Sequence, residues 1–326
     1  MVYTLLHKLY IYAVEDASLF VVRCTNQSQK ILSLLLSLLL GLFISTVYAG
    51  DADDVLVDTQ WLIKHQNDSN LIIVDARSEH DYKKGHIRGA VNIPVEDTFN
   101  PLIQTDRVGN IKYIAVLFSN AGIRNDHLVV IYDGNSYIDA GRVFWVLEVY
   151  GHKKVMLLNG GLEGWQAHSG QALSQKNIEL QHSNYIPTMA PHRLVTKFSM
   201  RLAVKDKDKL IIDTRSKDDF DGKKSIASRS GHIPNAINIP WTENFIETGG
   251  IKMLKPLDEL RSIYDPVIKG KGVILYCNKG KQSSLSYTVL RKLGYEAAHY
   301  DGSWFEWGND AGLPIKSNTR KVIPEK

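Results

Sequence analysis

The stretch "LIIVDARSEHDYKKGHIRGAVNIP", Leu71 to Pro94, decides the fold because the chain uses it twice. It returns as "LIIDTRSKDDFDGKKSIASRSGHIPNAINIP", Leu210 to Pro240, where Asp213 and Arg215 match Asp75 and Arg77 at a separation of 138 positions. Gly231, His232 and Asn238 match Gly85, His86 and Asn92 at a separation of 146, so the second copy carries an eight-residue insertion. Further along, "LVVIYDG" (Leu128 to Gly134) answers "GVILYCN" (Gly272 to Asn278), and "NGGLEGW" ending at Trp165 answers "DGSWFEW" ending at Trp307. A period of this size marks a domain duplication and not a solenoid.

Each copy alternates short apolar runs with helical stretches: Leu71 to Val74, Leu128 to Tyr132 and Val155 to Leu158 in the first, Leu210 to Ile212, Gly272 to Tyr276 and Ala297 to Tyr300 in the second. Runs that are apolar on both faces and separated by helices predict an α/β fold, a parallel sheet covered by helices on each side. The expected organisation is a leader at 1–49, an N-terminal domain at 50–173, a linker at 174–193, a C-terminal domain at 194–318 and a tail at 319–326. The linker is polar, contains two prolines and lacks periodicity.

The leader is read from the apolar run Ile31 to Thr46, preceded by Arg23 and Lys30 and followed by "VYAG", which puts small or neutral residues at Val47 and Ala49. Cleavage after Ala49 and release to a periplasm are expected, with no membrane attachment afterwards. An uncleaved anchor is the alternative, disfavoured because the run is short for a span. The acidic residues before the run are unusual for a signal peptide and raise the question of a later start, for instance at Val21 or Val22.

The 326 residues are 44% hydrophobic and 23% charged, with a formal charge of +4. That small, scattered excess gives no support to nucleic acid as a partner. The two cysteines are Cys24 and Cys277, so removal of the leader leaves one and excludes an intramolecular disulfide. An unpaired thiol in an oxidising compartment needs either burial or a chemical job.

Cys277 sits at the carboxyl end of a strand, where ligands of parallel sheets bind. The following "NKGKQSS" (Asn278 to Ser284) is suited to curl its backbone N–H groups inward, with Gly280 permitting the turn and Ser283 or Ser284 expected to cap a helix beginning near Ser284. A nest of N–H groups backed by a helix terminus and by Lys279 and Lys281 favours a thiolate and holds an anionic substrate against it. The plainer alternative is a buried inert cysteine beside solvated lysines.

The two copies of GHI-x-x-A-x-N-I-P, together with "YCNKGKQSS" between a strand and a helix, resemble a two-domain rhodanese over nearly all of the expected mature chain. The resemblance implies tandem rhodanese-like domains, the first inactive with Asp133 at the position of Cys277. It implies thiosulfate sulfurtransferase activity through a Cys277 persulfide, passing sulfur to cyanide or a thiol, with no metal or organic cofactor and a monomeric chain. Backbone N–H groups at Asn278, Gly280, Gln282 and Ser283 are expected to support the persulfide. Arg229 matches a family position that reaches the pocket, so Arg229, Lys279 and Lys281 are the expected substrate-binding cations, a solvent-facing loop arginine being the plainer reading of Arg229.

The chain departs from the family in having Asn278 before Lys279 where thiosulfate enzymes often carry Arg-Lys. A 3-mercaptopyruvate sulfurtransferase and a non-turnover periplasmic sulfur carrier therefore stand as alternatives. A cysteine-dependent phosphatase or arsenate reductase is disfavoured because Asn278 to Ser284 contains no arginine to clamp an oxyanion. Asp75, Arg77, Asp213 and Arg215 are expected to fix loops, His86 and His232 to be structural, and Trp304 and Trp307 to pack near the domain interface or the pocket rim.

Overall fold

Five short strands with apolar faces on both sides build each sheet, and both sheets are wholly parallel. The computed structural model describes residues 55–103, 106–176, 178 and 181–318; the expected leader and tail lie outside the described residues. The first sheet comprises β1 (Leu56–Val57), β2 (Leu71–Asp75), β3 (Ala90–Asn92), β4 (Leu128–Tyr132) and β5 (Val155–Leu158), in the order β1-β5-β4-β2-β3. In the second, β6 (Leu194–Val195), β7 (Lys209–Asp213), β8 (Ala236–Asn238), β11 (Gly272–Tyr276) and β12 (Ala297–Tyr300) lie in the order β6-β12-β11-β7-β8, while β9 (Phe245–Thr248) and β10 (Ile251–Leu254) form a separate antiparallel pair. Strand for strand this is the same topology, so the repeat read in the sequence is a repeat in space. The register agrees too, with Asp75 paired to Tyr132 in one sheet and Asp213 to Tyr276 in the other.

Helices cover both faces: α1 (Thr59–His65), α2 (Glu79–Lys84), α3 (Ile111–Asn120), α4 (Ile138–Val149) and α5 (Gly161–His168) in the first copy. In the second they are α6 (Lys197–Ala203), α7 (Lys217–Asp221), α8 (Leu257–Ile268), α9 (Gln282–Lys292) and α10 (Ser303–Asn309). Ser78 and Ser216 start equivalent helices by accepting from the backbone N–H of Asp81 and Asp219, each satisfying one donor left open at a helix start. Among the described residues no helix is long and apolar enough to cross a membrane.

The repeated Asp-x-Arg pairs lock the turn after β2 and β7. Arg77 Nη2 donates to Asp75 Oδ2 at 2.5 Å and to the Gly85 carbonyl at 2.8 Å. Arg215 Nη2 donates to Asp213 Oδ2 at 2.6 Å and to the Gly231 carbonyl at 2.7 Å. His86 stacks on Tyr82 and His232 on Phe220, at 3.8 and 3.7 Å between ring centroids. These charged and aromatic residues hold loops, as expected. Trp304 and Trp307 instead lie in the apolar core of the second copy, and Arg215 stands 4.5 Å over the Trp304 ring. Both indoles turn inward from α10 and not to an interface or rim, although the Trp304 backbone N–H reaches the Cys277 carbonyl.

Residues 174–193, expected as a linker, are strapped to the first copy over their described part. Ser174 bridges to His86, and Tyr185 is buried edge-on against Phe118.

The two copies meet along α4 and α9, whose buried apolar side chains belong to one continuous core. Gly141 and Leu285, each eight positions beyond Asp133 and Cys277, meet at the crossing: a Cβ on Gly141 would stand 2.9 Å from the Leu285 Cα. Nearby Glu148 accepts from Arg193 Nη1 at 3.0 Å, from Arg291 Nε at 3.2 Å and from the Tyr287 hydroxyl. Gly141→Ala should therefore force the helices apart and cost about 1–3 kcal/mol by overpacking; thermal unfolding measures it, and an unchanged Tm would refute so tight a crossing.

Candidate active site

The apolar strand β11 carries Cys277 to the sheet's carboxyl edge, where it is 1% exposed. Its loop is pinned to the start of α10: the Cys277 N–H donates to Ser303 Oγ at 3.2 Å, and the carbonyls of Cys277 and Asn278 accept from the N–H groups of Trp304 and Phe305, both at 2.9 Å. The loop then curls back so that the Gly280 N–H donates to Cys277 Sγ at 3.1 Å. Gly280 has φ +87°, and a Cβ there would lie 2.9 Å from the Asp301 carbonyl and 3.1 Å from Arg142 Nη1. Conformation and space both require glycine.

Neither Ser283 nor Ser284 caps the following helix, which begins at Gln282 without a side-chain cap. Ser284 Oγ donates to the Gly280 carbonyl at 2.7 Å, and Ser283 Oγ lies 2.7 Å from His299 Nε2. Both hydroxyls point inward, Ser283 to the buried His299 ring and Ser284 to a carbonyl that it shares with Arg142, and these buried partners outweigh a cap. Burial, and then the nearby Arg142 charge, push the His299 imidazole well below its ordinary pKa, so it is neutral.

Lys279 and Lys281 flank the loop, as expected, but neither is free. Lys279 Nζ stands 3.6 Å from Asp106 Oδ2 and 5.2 Å over the Phe305 ring. Lys281 Nζ lies 3.0 Å from Asp139 and 3.5 Å from Glu96. Burial works against the Lys281 charge, but Asp139 and Glu96 outweigh it and hold its pKa above the usual lysine value. All three carboxylates come from the first copy. A cavity of about 470 Å³ opens beside Lys279, lined by Asp106 and Arg107 of the first copy and by Asp301, Phe305 and Glu306 of the second; Cys277 is not among its walls.

Arg229 does not face this site with a free guanidinium. It donates to the carbonyls of Gly308 at 3.1 Å, Leu313 at 2.8 Å, Trp307 at 3.0 Å and Asp310. The expected substrate contact is corrected to a structural one: the planar fork closes the carboxyl end of α10, where carbonyls lack intrahelical partners. The solvent-facing alternative is also wrong, since Arg229 is half-buried.

The first copy shows what the loop is built to hold. Asp133, 2% exposed, accepts from the N–H groups of Tyr137 at 3.0 Å, Asp139 at 3.2 Å and Ala140 at 3.3 Å, and from Ser136 Oγ at 3.0 Å. Burial pushes its carboxyl up, opposed by those donors. A fixed side-chain carboxyl group thus fills in the first copy the place that Cys277 Sγ takes in the second.

Sequence reading overlooked Arg142, His299, Asp301 and Ser303, which all pack against the cysteine loop. Only Arg142 carried a visible signal, a lone cation within the otherwise apolar centre of α4.

The Rhodanese-like domain family matches at residues 58–168 and again at 199–310. A Mycobacterium leprae protein named "Putative thiosulfate sulfurtransferase" is 32% identical over 274 residues, spanning 81% of this chain and 98% of its own. A sulfur carrier protein of Thermus thermophilus is 32% identical over 288 residues, spanning 80% and 96%. The crystal structure of the Escherichia coli 3-mercaptopyruvate enzyme superposes with a TM-score of 0.69 at 30% identity, covering 77% of this chain and 99% of that one. A duplicated parallel fold with one cysteine loop at a strand end defines a two-domain sulfurtransferase. The chain belongs to the rhodanese family.

Proposed function

We propose that this sulfurtransferase takes the outer sulfur of thiosulfate onto Cys277 and passes it to a thiol or to cyanide. The Sγ thiolate attacks the outer sulfur, the Sγ–S bond forms, and the S–S bond of thiosulfate breaks with its electron pair leaving on sulfite. An acceptor thiolate then attacks the terminal persulfide sulfur and returns the Cys277 thiolate, a two-step course typical of covalent catalysis. The observation that carries this reading is the Gly280 N–H aimed at Sγ within a nest whose twin in the first copy holds a carboxylate. Mass spectrometry of the protein before and after thiosulfate tests it: one added sulfur on Cys277 is expected, and an unchanged mass would refute it.

The loop cations bear on the choice of donor. Lys279 is half-exposed and paired only loosely with Asp106, so it is the cation a dianionic donor can recruit. Lys279→Ala should raise KM for thiosulfate by about tenfold, the lower end for a charge-assisted contact. Arg229→Ala should leave that KM within about twofold while lowering stability by about 1–3 kcal/mol, since four carbonyls lose a charged donor that ties the end of α10 together. Steady-state kinetics and thermal unfolding of the two variants separate the roles, and a large KM effect of Arg229→Ala would restore it to the pocket.

A second reading, with 3-mercaptopyruvate as donor, is favoured by one feature: Glu96, Asp106 and Asp139 offset the charge of both lysines, which suits a monoanion better than a dianion. Parallel turnover of the two donors decides. Faster transfer from mercaptopyruvate would overturn the thiosulfate assignment and leave the sulfurtransferase class standing.

A further inference from the structure

Arg142 belongs to the catalytically silent copy, yet it ends at the cysteine loop of the other. On α4 its side chain is wholly buried. Its guanidinium donates to Asp301 Oδ1 at 2.6 Å, to the Asp106 carbonyl at 3.0 Å and to the Gly280 carbonyl at 3.3 Å, and it stands 4.5 Å over the Trp145 ring. Its Nε has no partner among the described residues. A fully buried ion pair with an unsatisfied donor is a poor stabilising device compared with apolar packing of the same volume, so its place under the loop calls for another reason.

That reason lies in the Gly280–Lys281 peptide. The Gly280 carbonyl accepts from Arg142 and from Ser284 Oγ. The peptide is trans, so its C=O and N–H point in opposite directions. Drawing the carbonyl toward Arg142 turns the Lys281 N–H the other way, and the preceding Gly280 N–H meets Sγ. The first copy needs no such help, because the Asp133 carboxylate gathers its N–H groups from within. The second copy has no internal anion until sulfur arrives, and converging N–H dipoles repel one another.

We infer that Arg142 is a positioning residue for sulfur transfer: reaching across from the first copy, it holds the Gly280 carbonyl outward so that the loop N–H groups converge on the sulfur carried by Cys277. The inactive copy thereby organises the active site of its twin. The inference rests on persulfide formation at Cys277, and its test keeps the two separable.

The test is single-turnover persulfide formation from thiosulfate, read as mass gain, in the full chain and in Arg142→Gln, Arg142→Lys and Glu148→Gln. Glu148 lies on the same helix and ties the same interface through Arg193, Tyr287 and Arg291 without touching the loop. Arg142→Gln should slow the step by on the order of tenfold to a hundredfold, the cost of a misaligned reacting group, with KM for thiosulfate changed by less than about threefold. Arg142→Lys, which keeps charge but not the fork, should recover part of the rate. Glu148→Gln should lower Tm as Arg142→Gln does and leave the rate unchanged. An Arg142→Gln protein that forms persulfide within about twofold of the unmutated rate overturns the inference, as does an equal slowing by Glu148→Gln. Should Arg142→Gln not fold, Arg142→Lys decides: a slowed rate supports the role and an unchanged rate overturns it. No mass gain in the unmutated chain would overturn the Cys277 reading itself, and this inference with it.

Discussion

Cys277→Ser forms no persulfide, and sulfur transfer from either donor falls by on the order of 10⁴-fold or more, because the substitution removes the covalent path and not one contact along it. A hydroxyl at this position is neither acidic enough to ionise nor nucleophilic enough toward sulfane sulfur. The isosteric change keeps the fold, since Cys277 packs in a loop held mainly by backbone bonds to Ser303, Trp304 and Phe305. Asp133→Ala is the matching change in the other copy and behaves in the opposite sense. It should leave persulfide formation at Cys277 in place but destabilise the chain by about 1–3 kcal/mol, as donors gathered by one buried carboxylate lose their acceptor. Mass gain on thiosulfate and thermal unfolding of the two variants read both effects. Persulfide on the Cys277→Ser protein would place the reacting sulfur elsewhere.

The sulfurtransferase class and the parallel α/β fold were legible because they rest on local pattern. Apolar runs such as Leu128 to Tyr132 and Gly272 to Tyr276 are strands whatever surrounds them, and two aligned copies fixed which positions correspond. Cys277 stood out by place and by the glycine behind it. What failed were judgements about partners. Lys281 meets Glu96 and Asp139, residues far away in the chain that only the docking of the two copies brings near. Arg229 was expected in the pocket because it matches a family position, but the end of α10 offers it four carbonyls. Ser283 and Ser284 carried the composition of a cap and went instead to His299 and Gly280. Each of these three concerns a polar side chain whose destination is set by tertiary burial, which one-dimensional pattern does not encode.

The same contrast between equivalent positions predicts unequal costs at the two Asp-x-Arg pairs. In the second copy, both Asp213 and Arg215 side chains are fully buried. Asp213 accepts from Arg215 Nε at 3.0 Å and Nη2 at 2.6 Å, from the Arg215 backbone N–H at 2.9 Å, and from the Tyr276 hydroxyl at 2.6 Å. Asp213→Ala leaves a dry guanidinium whose Nη1 is already without a partner among the described residues, so the loss should reach about 3–5 kcal/mol, the range for breaking a buried pair from one side. In the first copy the Arg77 side chain is 15% exposed; water can reach it once Asp75 is gone, and Asp75→Ala should cost less, about 2–3 kcal/mol. Removing both partners in the second copy, with Asp213→Leu and Arg215→Met together, should recover part of the loss, because no charge then remains to be desolvated. Denaturant unfolding of the three variants gives the order directly. Equal costs for the two aspartates, or a cost near 1 kcal/mol at Asp213 as for a solvated surface pair, would mean that water reaches Arg215. Tyr276 immediately precedes Cys277 and donates to Asp213, so the variant that loses most stability is also the one that loosens the base of the cysteine loop.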